Sequence, residues 1–291
     1  MIDFSPVAGL TLALGESPVW DDRRGVVFLC DIPTGRVIAM RLDGSELRQW
    51  VLGQDACAIG LCDSGRLVVA LTREIILFDP DTGFRTRLAQ LTGELETNRF
   101  NDGKVGPDGA FWIGTMDQRT ERQPVAALYR LDAAGRLDRR KAPLKCSNGL
   151  AWSPDGTRMY HSDSSGPWIA THAFDAATGT FGPALRFAEP DEQQGRPDGA
   201  AMDAEGCYWS AGISAACLNR YAPDGTLLAR YPVAVAAPTM PCFCGPDLRT
   251  LLVTSHRNAS AERLAAYPLT GAVLVGQSPV AGAPVARMKG L

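Results

Sequence analysis

Pro107-Asp108-Gly109-Ala110-Phe111-Trp112-Ile113 reads as a tight turn feeding a short apolar strand, and it decides the fold because it repeats. Asp and Gly close turns cheaply, and β-branched or aromatic runs fit a pleated, buried surface. The pattern stands earlier as Asp22-Arg23-Arg24-Gly25-Val26-Val27-Phe28-Leu29 and Asp63-Ser64-Gly65-Arg66-Leu67-Val68-Val69. It returns over residues 154–160, 203–209 and 246–253. With Val27, Leu67, Phe111, Met159, Tyr208 and Leu251 as landmarks, the intervals are 40, 44, 48, 49 and 43 residues.

A second turn follows each first one, as Leu42-Asp43-Gly44, Phe78-Asp79-Pro80-Asp81-Thr82-Gly83 and Leu131-Asp132-Ala133-Ala134-Gly135. Three more are Phe174-Asp175-Ala176-Ala177-Thr178-Gly179, Ala222-Pro223-Asp224-Gly225 and Pro268-Leu269-Thr270-Gly271. Two hairpin turns per repeat imply four strands, and six such repeats imply blades. The expected fold is all-β: a six-bladed β-propeller with four antiparallel strands per blade, one domain over residues 1–291. The segments 117–124 and 257–262 read as surface loops.

Composition agrees and excludes alternatives. Thirty Gly and 20 Pro among 291 residues are too many turn-formers for a helical bundle, yet too few for a low-complexity chain. Lys plus Arg is 29 against 32 Asp plus Glu, a net charge of −3, so no basic surface for nucleic acid is expected. No stretch approaches the roughly 18 apolar residues of a membrane span. Met1-Ile2-Asp3-Phe4-Ser5-Pro6 lacks the basic and apolar regions of a secretory signal, so a cytoplasmic monomer with eight reduced, buried cysteines is expected.

The repeat also exposes its exceptions. About ten residues before each landmark, where an inner strand of a propeller starts beside the central channel, stand Glu16, Cys57, Asn101, Asn148, Asp198 and the segment 239–241. Asn-Gly and Asp-Gly are turn dipeptides, and one alone reads as a turn. Four oxygen-bearing side chains in register instead point to one cation. Oxygen donors without His or Cys suit Ca²⁺, Mg²⁺ or Mn²⁺ better than zinc, and two carboxylates balance a divalent charge. The three histidines and the absence of a G-x-S-x-G turn leave little room for a serine nucleophile; His161 reads as a packed strand residue.

Gly15-Glu16-Ser17-Pro18-Val19-Trp20, Arg99-Phe100-Asn101-Asp102-Gly103-Lys104, Gly114-Thr115-Met116-Asp117, Ser147-Asn148-Gly149-Leu150 and Pro197-Asp198-Gly199 together resemble the senescence-marker protein, gluconolactonase and regucalcin family. The likeness continues to Gly245-Pro246-Asp247-Leu248-Arg249-Thr250-Leu251 and so covers essentially the whole chain. The resemblance implies hydrolysis of sugar-acid lactones. It makes Glu16, Asn148 and Asp198 ligands of one divalent cation, Ca²⁺ first, with Mg²⁺, Mn²⁺, Zn²⁺ or Fe²⁺ left open. Asp198 doubles as the catalytic base, and Arg99 and Asn101 meet substrate. Arg119, in the loop after Met116, stands where some members of that family place a carboxylate, and it is expected to bind substrate as well. A metal-dependent esterase or organophosphate hydrolase on the same scaffold, and a calcium-binding propeller without activity, are the alternatives.

Overall fold

The computed structural model describes residues 1–291, apart from the side chain of Ala8. Its strands form six sheets among the described residues, each built on four antiparallel strands; blade 4 adds the short strand Thr180–Phe181. The first strands are Gly15–Asp21, Ala58–Leu61, Asn98–Val105, Ser147–Trp152, Pro197–Met202 and Pro238–Cys244. Each packs on the first strand of the next blade until the ring closes, so the six encircle one axis. Every landmark of the repeat lies in the second strand of its blade.

Blade 6 departs from the sequence reading. Its turn at residues 268–271 precedes the third strand, Ala272–Gln277, instead of following it. The fourth strand is Ser5–Thr11 at the other end of the chain, paired antiparallel with Ala272–Gln277. First and last segments thus share one sheet, which ties the ring shut and removes two free edges. The stretch 257–262, expected as loop, runs into a helix at Ala261–Ala266. Ser260 caps that helix by accepting a hydrogen bond from Arg263 N at 3.3 Å.

Aromatic residues fill the wedges between blades. Trp112 is fully buried and lies 6.2 Å from Trp152 and 5.7 Å from Phe174, joining blades 3 and 4. Tyr160 stacks on Tyr208 at 5.1 Å across blades 4 and 5, and Trp209 meets Phe243 at 5.6 Å across blades 5 and 6. Each large ring buries about 150–250 Å², so these contacts set the spacing of the blades.

The last residues cross the far face of the ring. Ala283 N donates to Met202 O in blade 5, Met288 N to Leu61 O in blade 2 and Lys289 N to Gly109 O in blade 3. Arg287 pairs with Asp21 and Asp22 of blade 1. This strap passes beside a cavity of about 320 Å³ lined by Lys104, Trp152, Met240 and Cys242. The opposite mouth of the channel stays open.

Candidate functional site

Five first strands break their ladder where the register positions fall. The pairing slips between Glu16 and Val19, Phe100 and Gly103, Asn148 and Ala151, Pro197 and Ala200, and Pro238 and Met240. Such a bulge leaves a residue unpaired and re-aims its side chain. Ser17 at φ 49° and Gly149 at φ 64° supply the left-handed backbone for two of these bulges. Blade 2 pairs without a slip. There the register position is the buried thiol Cys57, whose Sγ lies 3.7 Å from Arg99 Nη1.

The result is a cavity of about 950 Å³ at the open mouth. Glu16, Arg99, Asn101, Asn148 and Asp198, expected from sequence to converge, all line it. Arg99 Nη1 donates to Phe100 O at 2.6 Å and to Asn101 Oδ1 at 3.0 Å. Asn101 Nδ2 donates to Ser147 O at 3.0 Å and to Asn148 Oδ1 at 3.3 Å. Asn148 Nδ2 donates to Ser164 Oγ at 2.6 Å, and Oδ1, which accepts from Asn101, keeps a second lone pair for a further partner.

Charge in this cavity is unbalanced. Glu16 and Asp198 are 8% and 7% exposed, and neither forms an ion pair among the described residues. Glu16 accepts only from Ser17 N, at 3.0 Å, and the side chain of Asp198 has no hydrogen bond among the described residues. Burial, then the charges of Asp198 and Asp102, push the Glu16 carboxyl well above its ordinary range. Burial, then Asp102, push Asp198 up to about 8, against the opposing pull of Arg196, Arg122 and Arg99. Asp102, also raised by burial, accepts from Leu150 N at 3.2 Å through Oδ2, while its buried Oδ1 has no partner among the described residues.

Buried carboxyls that resist ionising together make a field that a dication relieves. Two carboxylates without basic partners, plus an amide oxygen, are a hard donor set of charge −2. They fit a divalent cation.

The structure does not bring Arg119 to the cavity. Its guanidinium is held by Asp117 two residues back, with Nε 2.9 Å from both carboxylate oxygens and Nη2 2.9 Å from Oδ2. Arg122, from the same loop, lines the wall in its place. The sequence reading also missed Arg196, Arg257 and His256 on this wall. Arg196 sits two residues before Asp198, a usable signal. Nothing local marks the other two.

His161 is no base for Ser147. Lys141 Nζ lies 3.2 Å from His161 Nδ1 and 3.2 Å from His172 Nε2, and an ammonium can only donate. The proton of His161 is therefore on Nε2, which donates to Ser147 Oγ at 2.8 Å. A second acidic group, Asp203, Glu205 and Cys207, is spent structurally. Asp203 accepts from Trp209 Nε1 and Arg220 Nε at 2.9 and 2.8 Å, and Glu205 pairs with Arg220.

Residues 14–257 match the family described as the SMP-30/Gluconolactonase/LRE-like region. The chain is 39% identical to a 6-deoxy-6-sulfogluconolactonase of Pseudomonas putida over 272 residues, covering 92% of each protein. It is 33% identical to an L-arabinolactonase of Azospirillum brasilense, covering 95% of this chain and 92% of the relative. Among solved structures, a calcium-binding protein, regucalcin, from Agrobacterium tumefaciens str. C58 superposes with a TM-score of 0.92 at 29% identity. That superposition covers 99% of this chain and 97% of that one.

Proposed function

The chain belongs to the SMP-30/gluconolactonase/LRE-like family, and from that premise we propose that it is a lactonase opening the rings of sugar-acid lactones in the cavity at the channel mouth. One observation carries the reading. Two buried carboxylates without basic partners face the same cavity as an amide oxygen and an arginine.

In this reading Glu16, Asn148 Oδ1 and Asp198 hold one divalent cation, Ca²⁺ first. When bound, that cation supplies Lewis acidity toward the lactone carbonyl and offsets the negative charge that develops on its oxygen. Asp198 takes the proton of the attacking water, since its carboxylate has no other hydrogen bond to give up. Arg99 uses donors left free by Phe100 and Asn101 to orient the ring by its hydroxyls. Asn101 links the two halves of the site, meeting Arg99 with its oxygen and Asn148 with its nitrogen. The cavity, far larger than one water, has room for a six-carbon lactone.

The likeness to a protein described as calcium-binding favours a second reading, cation binding without turnover. The relatives' names supply the first probes, 6-deoxy-6-sulfogluconolactone and L-arabinolactone. Turnover of these and of gluconolactone, measured with cation present and then with chelator, tests the proposal. Ring opening that stops on chelation and returns on Ca²⁺ supports it. Tight Ca²⁺ binding with no turnover of any lactone leaves the second reading.

A further inference from the structure

The cavity holds more positive charge than a neutral sugar requires. Three carboxylates line it: Glu16, Asp31 and Asp198. Asp31 is already neutralised: its Oδ1 accepts from Ala13 N and Leu14 N at 3.0 and 2.9 Å, and its Oδ2 pairs with Arg36 at 2.5 Å. Glu16 and Asp198 match one dication. Arg99, Arg122, Arg196 and Arg257 then remain, four guanidinium groups lining the cavity.

None of the four forms an ion pair with a buried carboxylate among the described residues. Arg122 donates from Nε to Asp117 O at 3.1 Å and from Nη1 to Ser165 Oγ at 3.2 Å, both neutral acceptors. Arg196 meets only Glu192, at 3.4 Å, with that carboxylate 68% exposed, a pair worth little in water. Arg257 makes no side-chain hydrogen bond or ion pair among the described residues. Arg99 is committed to the ring side by its contact with Asn101.

Arg122 and Arg196 reach the cavity from blades 3 and 5, and both line it together with Asp198. They bracket one region beside the proposed reaction centre. Guanidinium groups half out of water and lacking an anion are a standing recognition element for oxyanions, which they bind by charge-assisted, often forked, hydrogen bonds.

Resting on the lactonase reading, we infer that the lactone this site takes carries a strongly acidic oxyanion on the end of the molecule remote from the ring carbonyl, held by Arg122 and Arg196. Sulfonate, phosphate and carboxylate share that chemistry. Arg257 adds to the field across the mouth.

The test compares gluconolactone with three six-carbon lactones bearing sulfonate, phosphate or carboxylate at C6, on the cation-loaded protein and its Arg122→Gln and Arg196→Gln variants. Calorimetric binding of the matching open-chain acids gives a readout independent of turnover, and thermal melting checks that the variants fold. At least one C6-oxyanion lactone should exceed gluconolactone in kcat/KM by about tenfold or more, with the advantage shrinking as salt rises. Each variant should lower the ratio of oxyanion to neutral kcat/KM by about 10- to 100-fold, the loss of one charge-assisted hydrogen-bonded partner, and weaken binding of the charged acid in step. A preference for gluconolactone over all three, or a ratio that neither variant changes, overturns the inference and leaves the lactonase standing. No turnover of any lactone overturns both.

Discussion

Asn101 Nδ2 donates to Asn148 Oδ1 at 3.3 Å, a hydrogen bond that joins the first strands of blades 3 and 4 at the mouth of the channel. The same amide accepts from Arg99 through its oxygen at 3.0 Å. One side chain therefore positions both the expected ligand oxygen and the expected substrate arginine, and its removal should disturb both.

Asn101→Ala should lower kcat/KM for lactones by about 10- to 100-fold, the scale of losing the part-buried hydrogen bonds to Arg99 and Asn148 together. Asn101→Asp keeps an acceptor for Arg99 but has no donor for Asn148. Its KM should stay nearer the wild-type value, while its cation affinity changes more. Steady-state kinetics with a cation titration of each variant read the difference. Equal KM increases would show that the Arg99–Asn101 contact does not orient substrate.

Asp198 is assigned two tasks, and two variants separate them. Asp198→Asn keeps one ligand oxygen without a basic carboxylate; Glu16→Gln removes the same charge and spares the base. At saturating cation, Asp198→Asn should remain slow by about 10²–10⁴-fold, the usual reach of general-base help. Glu16→Gln should recover most of its rate once cation is saturating. Single-turnover rates against cation concentration decide, and full rescue of Asp198→Asn would reduce it to a ligand.

The Lys141–His161–His172 cluster gives stability a pH dependence with a definite sign. Burial, then Lys141 and His172, hold the His161 imidazole well below its ordinary pKa. Burial also lowers His172, and it pushes Lys141 down to about 8. Below about pH 6.5 the unfolded chain takes up a proton on His161 that the folded chain refuses. The stability tied to this residue is therefore present above pH 6.5 and lost as pH falls. The gap in urea midpoint between wild type and His161→Gln, at fixed cation concentration, should narrow from pH 7.5 to 5.5. A gap that is flat or widens would mean that the folded imidazole carries charge.

The C-terminal strap should contribute to stability through one arginine. Arg287 pairs with Asp21, which is fully buried, and with Asp22, whose side chain is 74% exposed. Asp21 also keeps Arg24 at 3.1 Å, so Arg287→Ala weakens the buried acceptor without orphaning it. The expected loss is about 1–2 kcal/mol, or a Tm lower by roughly 2–8 °C. Asp22→Ala should move Tm by much less, because an exposed pair is worth about 0–1 kcal/mol. Calorimetric melting of the two variants checks the order.

Local chemistry alone is readable from the residues of this chain. Turn residues at a period near 45 count the blades, because a hairpin depends on a few neighbouring residues. The polar residues that break an apolar inner strand mark the channel, because each blade presents the same register to the same axis. Glu16, Asn101, Asn148 and Asp198 were legible for that reason, and all four line one cavity. How blade 6 is completed is visible in the folded ring alone, since the partner of Ala272–Gln277 is a strand some 260 residues earlier in the chain. It alone placed Arg122 on the wall and took Arg119 off it: Asp117 captures the nearer guanidinium, and no periodicity reports which of two arginines in a loop a buried carboxylate will hold. It also brought Arg196 and Arg257 from blades 5 and 6 to the cavity that Arg122 lines, three residues with no common spacing. Charge balance in a cavity is a sum over every chain segment that borders it, and that sum exists only once the ring has closed.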